Sequence, residues 1–334
     1  MKAAVLHGPR DVSVEEVETP SLQVGDVLIR VRACGICGSD LHTYKHGTFL
    51  DLGTPVNSGR ILGHEFSGEV AEIRGQVEGL KVGDRVTAIN FGANAEYLRI
   101  PSLLTGAIMQ VPPEVSHEEA ATTEPLANST HAVGLADPAD GETVVVIGVG
   151  IIGLGVVQVL KAAYSTTTIV VDLSDRRLAM ARQLGADVVI NAAREDPYEK
   201  VLEITGATPI SFVPRPAAGV DIVFDCAGVS REHQGSTTLE QALTMVKENG
   251  RVVLVAVSER PFELDFNIIM RKGVRLLGSW AWSLNEFAQA LELMGSRKVD
   301  RKQLVTHEFP LDRAKDAYET QLNAEEAIKV LIKP

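Results

Sequence analysis

Three short segments of the 334-residue chain concentrate the side chains that bind metals: Cys34-Gly-Ile-Cys-Gly-Ser-Asp-Leu-His42, Gly63-His64-Glu65 and Glu124-Pro-Leu-Ala127. Thiolate, imidazole and carboxylate are the ligands zinc takes, and a catalytic zinc uses three of them and keeps one position open. Cys34 and Cys37 form a C-x-x-C, which by itself also suits a redox pair or half of a zinc ribbon. A ribbon needs a second such pair, and the only other cysteine is Cys226. A four-cysteine site is therefore excluded. A redox pair opens a helix in a thioredoxin-like unit, which this glycine-rich strand-to-loop context does not resemble. A single histidine is most often a satisfied core residue, but Gly63 and Glu65 on either side of His64 favour ligation. Glu65 itself is a ligand or a buried ion-pair partner.

A second constellation starts at Val144. Val144-Val-Val-Ile-Gly-Val-Gly-Ile-Ile-Gly153 is an apolar strand running into G-x-G-x-x-G and then an apolar helix. Gly148 permits the tight turn, Gly150 lets the backbone approach a pyrophosphate, and Gly153 lets helix and strand close together. The N–H groups at Ile151 and Ile152 open the helix, where a partial positive charge meets phosphates. Asp172 ends the next strand, roughly twenty residues on, where a carboxylate accepts the ribose hydroxyls and repels a 2′-phosphate. That favours NAD over NADP. Asp172 could instead cap the following helix, although Ser174 or Asp175 would serve equally well. Arg177 is placed beside the adenine or on an exposed helix face.

These residues need a scaffold of two kinds. Residues 1 to about 120 read as short strands punctuated by Gly and Pro, such as Val27–Arg32, Val70–Ile73 and Arg85–Ile89. From about 142 to 277, apolar runs (Val144–Ile147, Ile169–Val171, Val188–Ile190, Ile222–Phe224, Val252–Val257, Leu276–Leu277) alternate with helical stretches such as Arg176–Leu184 and Leu239–Val246. Buried strands alternating with helices mean a doubly wound parallel sheet. The tail has a helix near 285–294 and a strand at Ala327–Ile332, and it packs back on the first part. The expected fold is α/β: a split β-rich domain over 1–124 and 278–334, and a nucleotide-binding domain over 125–277.

Composition sets the outer limits. The chain is 45% hydrophobic and 23% charged with a net charge of −12, which speaks against a nucleic-acid or anionic-membrane surface. Three cysteines are too few for a secreted disulfide framework. The N-terminal residues lack the architecture of a signal peptide, so a cytoplasmic protein is expected. The uncharged run Thr143–Leu160 has the length of a membrane span, but its glycines fit strand, turn and helix better.

The run C-G-I-C-G-S-D-L-H, followed by G-H-E-F-S-G-E-V, G-D-R-V and G-V-G-I-I-G with Asp172, is similar to the zinc-dependent medium-chain alcohol and polyol dehydrogenases. The resemblance covers nearly the whole chain. It implies a GroES-like catalytic domain interrupted by a Rossmann domain, with one catalytic zinc and NAD. Matched residue by residue, the zinc ligands fall on Cys37, His64 and a carboxylate: Glu65 in the sorbitol dehydrogenase-like branch, where Glu124 holds water at the metal, or Glu124 directly in others. Asp40 would orient His64, Ser39 would take the proton of the substrate hydroxyl, and His42 would pass it to solvent. The loop Tyr44–Arg60, the segment Phe91–Asn94, and Trp280 with Trp282 would choose the alcohol. Gly83-Asp-Arg-Val86 reaches Ala95-Glu-Tyr97 without a cysteine, so the structural-zinc lobe of many relatives is missing. The resemblance also implies a homodimer or homotetramer acting on a small alcohol. A zinc-free quinone or enoyl reductase, or a silent nucleotide-binding protein on the same fold, are the alternatives.

Overall fold

The computed structural model describes residues 1–47, 60–210, 215–231 and 234–334, and the chain divides into two compact units. The first comprises Met1–Glu124 and Phe287–Pro334. Its larger sheet runs in the order Val305–Pro310, Lys329–Lys333, Val27–Gly35, Glu65–Ile73, Arg85–Ala88, Met109–Gln110, with Tyr97–Ile100 also pairing on Val27–Gly35. A smaller sheet joins Asp11–Glu16, Lys2–Gly8 and Arg60–Ile61. The terminal strand is thus an internal member of the first unit's sheet, antiparallel to Val27–Gly35 and parallel to Val305–Pro310. One side of the core gathers Val27, Ile29, Val31, Phe66, Val70 and Val86, all at 1% exposure or less.

The second unit, Pro125–Glu286, is built on six parallel strands in the order Val188–Asn191, Thr167–Asp172, Thr143–Ile147, Val220–Asp225, Val246–Leu254, Arg275–Gly278. In order of appearance that is 3-2-1-4-5-6, the arrangement whose direction reverses between the first and fourth strands. Val144, Val145, Val146, Ile169, Val170, Val223 and Phe224 are fully buried, as strands covered on both faces require. Helices Ile151–Ala163, Asp175–Gln183, Pro197–Thr205 and Thr238–Met245 make the crossovers.

Two details depart from the sequence reading. The run Val252–Val257 is strand only to Leu254, because the N–H groups of Val255 and Ala256 both turn to the carbonyl of Asp225 (2.9 and 3.1 Å). The return to the first unit lies at Glu286/Phe287 rather than 277/278. The last strand does not end the unit: Ser279 still donates to the Leu254 carbonyl, and Glu286 receives His131 Nδ1 at 2.9 Å, holding the start of helix Leu284–Gly295. The run Thr143–Leu160 is a sheet strand, a turn and part of a helix, and among the described residues no helix is long and apolar enough to cross a membrane.

Candidate metal centre and nucleotide site

Strand Val27–Gly35 delivers the chain to Cys37, which is the N-cap of helix Gly38–His46 with φ −82° and ψ 159°. The sulfur thus lies at the positive end of that helix. Asp40, at the third helical position, accepts the Cys37 N–H at 3.1 Å and closes a capping box. Its other oxygen, Oδ1, accepts the Gly63 N–H at 3.4 Å and faces His64 Nδ1 at 3.6 Å. One buried carboxylate thus ties together two segments far apart in sequence. Gly63 sits at φ +90°, and a Cβ there would stand 2.7 Å from both Asn94 Oδ1 and Cys34 Sγ, so no side chain fits.

The sulfur of Cys37, the imidazole of His64 and the carboxylate of Glu65 lie within 4.8 Å of one another, with His64 6% and Glu65 1% exposed. Burial works to discharge His64, but the negative charges of Asp40 and Cys37 outweigh it and hold the ring far above the ordinary imidazole range. Burial would likewise raise Asp40, yet His64 and the two backbone N–H groups bring it below the usual carboxylate range. Glu65 Oε1 is buried without a hydrogen-bond donor. Three negative or lone-pair donors converging where His64 and Glu65 are buried and Cys37 is half-buried, one of them an orphaned carboxylate oxygen, fit a divalent cation. The soft sulfur and the imidazole point to zinc over magnesium or calcium.

In the second unit, Gly148 takes φ +84° and approaches Ala227, whose nitrogen would be 2.7 Å from a Cβ on Gly148. A Cβ on Gly153 would collide with the Gly148 carbonyl. Gly150 is the N-cap of Ile151–Ala163, and a Cβ there would meet only Arg177 Nη1, at 3.9 Å. Room is therefore left in front of the helix N-terminus that Ile151 and Ile152 begin, the place where a phosphate binds. Asp172 accepts the Val149 N–H (2.7 Å) on Oδ2 and the Ser174 N–H (2.9 Å) on Oδ1, while Ser174 Oγ caps the next helix by accepting from Arg177 N. Asp172 is thus not the cap, and each of its oxygens keeps a lone pair for another donor.

A family model described as an alcohol dehydrogenase GroES-like domain matches residues 23–113, and one described as a zinc-binding dehydrogenase matches residues 152–296. Sorbitol dehydrogenase of Bacillus subtilis (strain 168) is 31% identical over 363 residues, covering 100% of this chain and 97% of its own. This chain belongs to the zinc-type medium-chain alcohol/polyol dehydrogenase family, a family of oxidoreductases. The X-ray crystal structure of 2R,3R-butanediol dehydrogenase from Bacillus subtilis matches with a TM-score of 0.84 at 30% identity, over 100% of this chain and 99% of that one. A structure titled short chain alcohol dehydrogenase (rspB) from E. coli CFT073, complexed with NADH, matches at 0.83 and 27% over 100% and 99% of the two chains.

Other residues of this dehydrogenase fall as follows. Ser39 and His42 stand three apart on helix Gly38–His46 and so share a face, and the His46 ring lies 4.9 Å from that of His42. Glu124 is half-buried in the first turn of helix Thr123–Ala136 and is not one of the three mutually close ligand groups. Of the segment Phe91–Asn94, only Phe91 is exposed, its ring 5.2 Å from that of His64. Gly92 and Ala93 donate to the Gly63 carbonyl, and the buried Asn94 donates to Tyr318 Oη. These bonds brace the loop that carries His64. Tyr44 is buried with its hydroxyl on Glu319 Oε1 at 2.6 Å, while 48–59 of the expected substrate loop Tyr44–Arg60 lie outside the described residues. Trp280 is 68% exposed and Trp282 half-buried. Sequence reasoning missed Lys329, whose Nζ donates to Glu65 Oε2 at 2.6 Å. The signal was a lysine inside the otherwise apolar run Ala327–Ile332.

Proposed function

We propose that this dehydrogenase oxidises a polyol or secondary alcohol with NAD⁺, reversibly, at a single zinc held by Cys37, His64 and Glu65. The convergence of those three groups around an orphaned carboxylate oxygen is the observation that carries the reading. When bound, the metal would supply Lewis-acid polarisation of the substrate oxygen and the nucleotide a hydride acceptor. The chain's own residues do the rest. Asp40 Oδ1 faces His64 Nδ1 across 3.6 Å, which leaves Nε2 for the cation. Ser39 takes the hydroxyl proton, and His42, on the same helix face, carries it outward. Glu65 rather than Glu124 is the third ligand, since Glu124 stands outside the group. Phe91, exposed against His64, is one wall for the carbon skeleton of the alcohol.

The test is NADH release over a panel of polyols, vicinal diols, amino alcohols and cyclic alcohols, with zinc content measured in parallel. Turnover with at least one class and one zinc per chain is expected. Full activity in chelator-stripped protein would point to a zinc-free reductase, and no turnover by zinc-loaded protein would point to a silent nucleotide binder. Asp172→Ser should lower kcat/KM for NAD⁺ about 10- to 100-fold, the worth of a charged hydrogen bond, and move preference toward NADP⁺. An unchanged cofactor ratio would leave Asp172 only its contacts to Val149 and Ser174. Because the metal-free centre keeps His64 protonated, the cation must expel that proton. Apparent zinc affinity should therefore climb about tenfold per pH unit near neutrality, read by chelator competition; a flat profile would contradict the assignment of His64.

A further inference from the structure

Behind the proposed ligand Glu65 lies a second buried charge that the reaction as described does not use. Three neighbouring strands of the first unit, Glu65–Ile73, Val27–Gly35 and Lys329–Lys333, place it there. Gly35, at the end of the middle strand, pairs with Glu65 on one side and with Leu331, two residues from Lys329, on the other. With no side chain at Gly35, the carboxylate of Glu65 and the ammonium of Lys329 meet across it, Nζ to Oε2 at 2.6 Å, both residues 1% exposed. A Cβ on Gly35 would collide with Glu65 Oε2. Lys329 Nζ also donates to the Ile36 carbonyl at 2.8 Å, one residue before Cys37. Its position is therefore fixed from two sides.

A buried lysine is costly to fold around, so its placement needs a reason beyond packing. The geometry points to Lys329 as a positioning residue of the metal centre: it occupies Oε2 of Glu65, so that Oε1 alone is presented to the cation. This rests on the reading of Glu65 as a ligand. A carboxylate fixed on one oxygen is oriented before the metal arrives, and the ammonium offsets the negative charge of Glu65 in its buried place. Without it, Glu65 loses the contact that holds Oε2 and is free to turn away from the site, and the metal must turn it back. Arg301, fully buried nearby, lends Glu65 further positive charge and donates from Nε to Thr122 Oγ1 at 3.3 Å.

The experiment measures the zinc dissociation constant of the full chain by competition with a chromogenic chelator, without substrate or nucleotide, for wild type, Lys329→Met, Lys329→Arg, Gly35→Ala, Glu65→Gln and the Lys329→Met/Glu65→Gln double variant. Lys329→Met is expected to weaken zinc about tenfold, the scale of losing a ligand's supporting contact, and Lys329→Arg to restore most of that. Gly35→Ala, which displaces the carboxylate while leaving both charges in the chain, should weaken zinc as Lys329→Met does, and so covers the case in which Lys329→Met fails to fold. In the Glu65→Gln background, Lys329→Met should add nothing. Wild-type affinity in both Lys329→Met and Gly35→Ala, or an equal Lys329→Met loss in the Glu65→Gln background, would overturn the inference. Wild-type affinity in Glu65→Gln alone would instead overturn the assignment of Glu65 as a ligand.

Discussion

Cys37→Ser is expected to lower kcat/KM for alcohol oxidation by about 10³-fold or more while NADH binding is unchanged. The sulfur is the only soft donor among the three proposed ligands, and it stands at the N-cap of helix Gly38–His46. A serine hydroxyl in the same position is a neutral, weakly coordinating group, so the centre loses its softest ligand and its hold on zinc. Metal assistance is worth several kcal/mol of barrier, and each 1.36 kcal/mol is tenfold in rate, which sets the expected size. The nucleotide loop at Gly148–Gly153 belongs to the other unit and has its own supports in Asp172 and Ala227. Steady-state rates, zinc content and a fluorescence titration with NADH separate the two outcomes. Retained turnover with zinc still bound would mean the ion is held elsewhere.

Asp40→Ala should weaken zinc binding by about 10- to 100-fold and destabilise the metal-free protein by about 3 kcal/mol. Asp40 is a junction: it receives the N–H groups of Cys37 and Gly63 and faces His64 Nδ1, all in a buried setting. Its removal leaves two backbone donors without their acceptor and frees the ring that must present Nε2. Asp40→Asn keeps the shape and one of the two acceptor oxygens but not the charge, so it should fold better than Asp40→Ala and still lose zinc about tenfold. Urea unfolding together with chelator competition reads both effects. If Asp40→Ala held zinc as wild type does, Asp40 would be only a helix-capping residue.

The elements that carry this chemistry were legible in the sequence to different depths. The strand–glycine–helix passage at Val144–Gly153 and the acidic end of the next strand are local patterns, and the structure places them at the centre of a 3-2-1-4-5-6 sheet. Periodic helices such as Asp175–Gln183 and Thr238–Met245 were legible to within a residue, because their signals are also local. The choice between Glu65 and Glu124 was not. Both lie inside ligand-rich segments, and only the placement of the side chains, which groups Glu65 with Cys37 and His64, tells the two apart. Lys329 was illegible for a related reason: it is 264 residues from Glu65, and nothing local shows that Gly35 opens a passage between them. The strand end at Leu254 and the return at Glu286/Phe287 were also set by partners distant in sequence, the Asp225 carbonyl and His131.

The central claim is that one cation is held by a thiolate, an imidazole and the carboxylate next to that imidazole in sequence. Anomalous diffraction from crystals of the zinc-loaded protein, recorded on both sides of the zinc edge, addresses it directly. The expected map has one strong peak per chain, about 2.3 Å from Cys37 Sγ and about 2.0–2.2 Å from His64 Nε2 and Glu65 Oε1. A map with no peak there, or with its peak on Glu124 and not Glu65, would contradict the account.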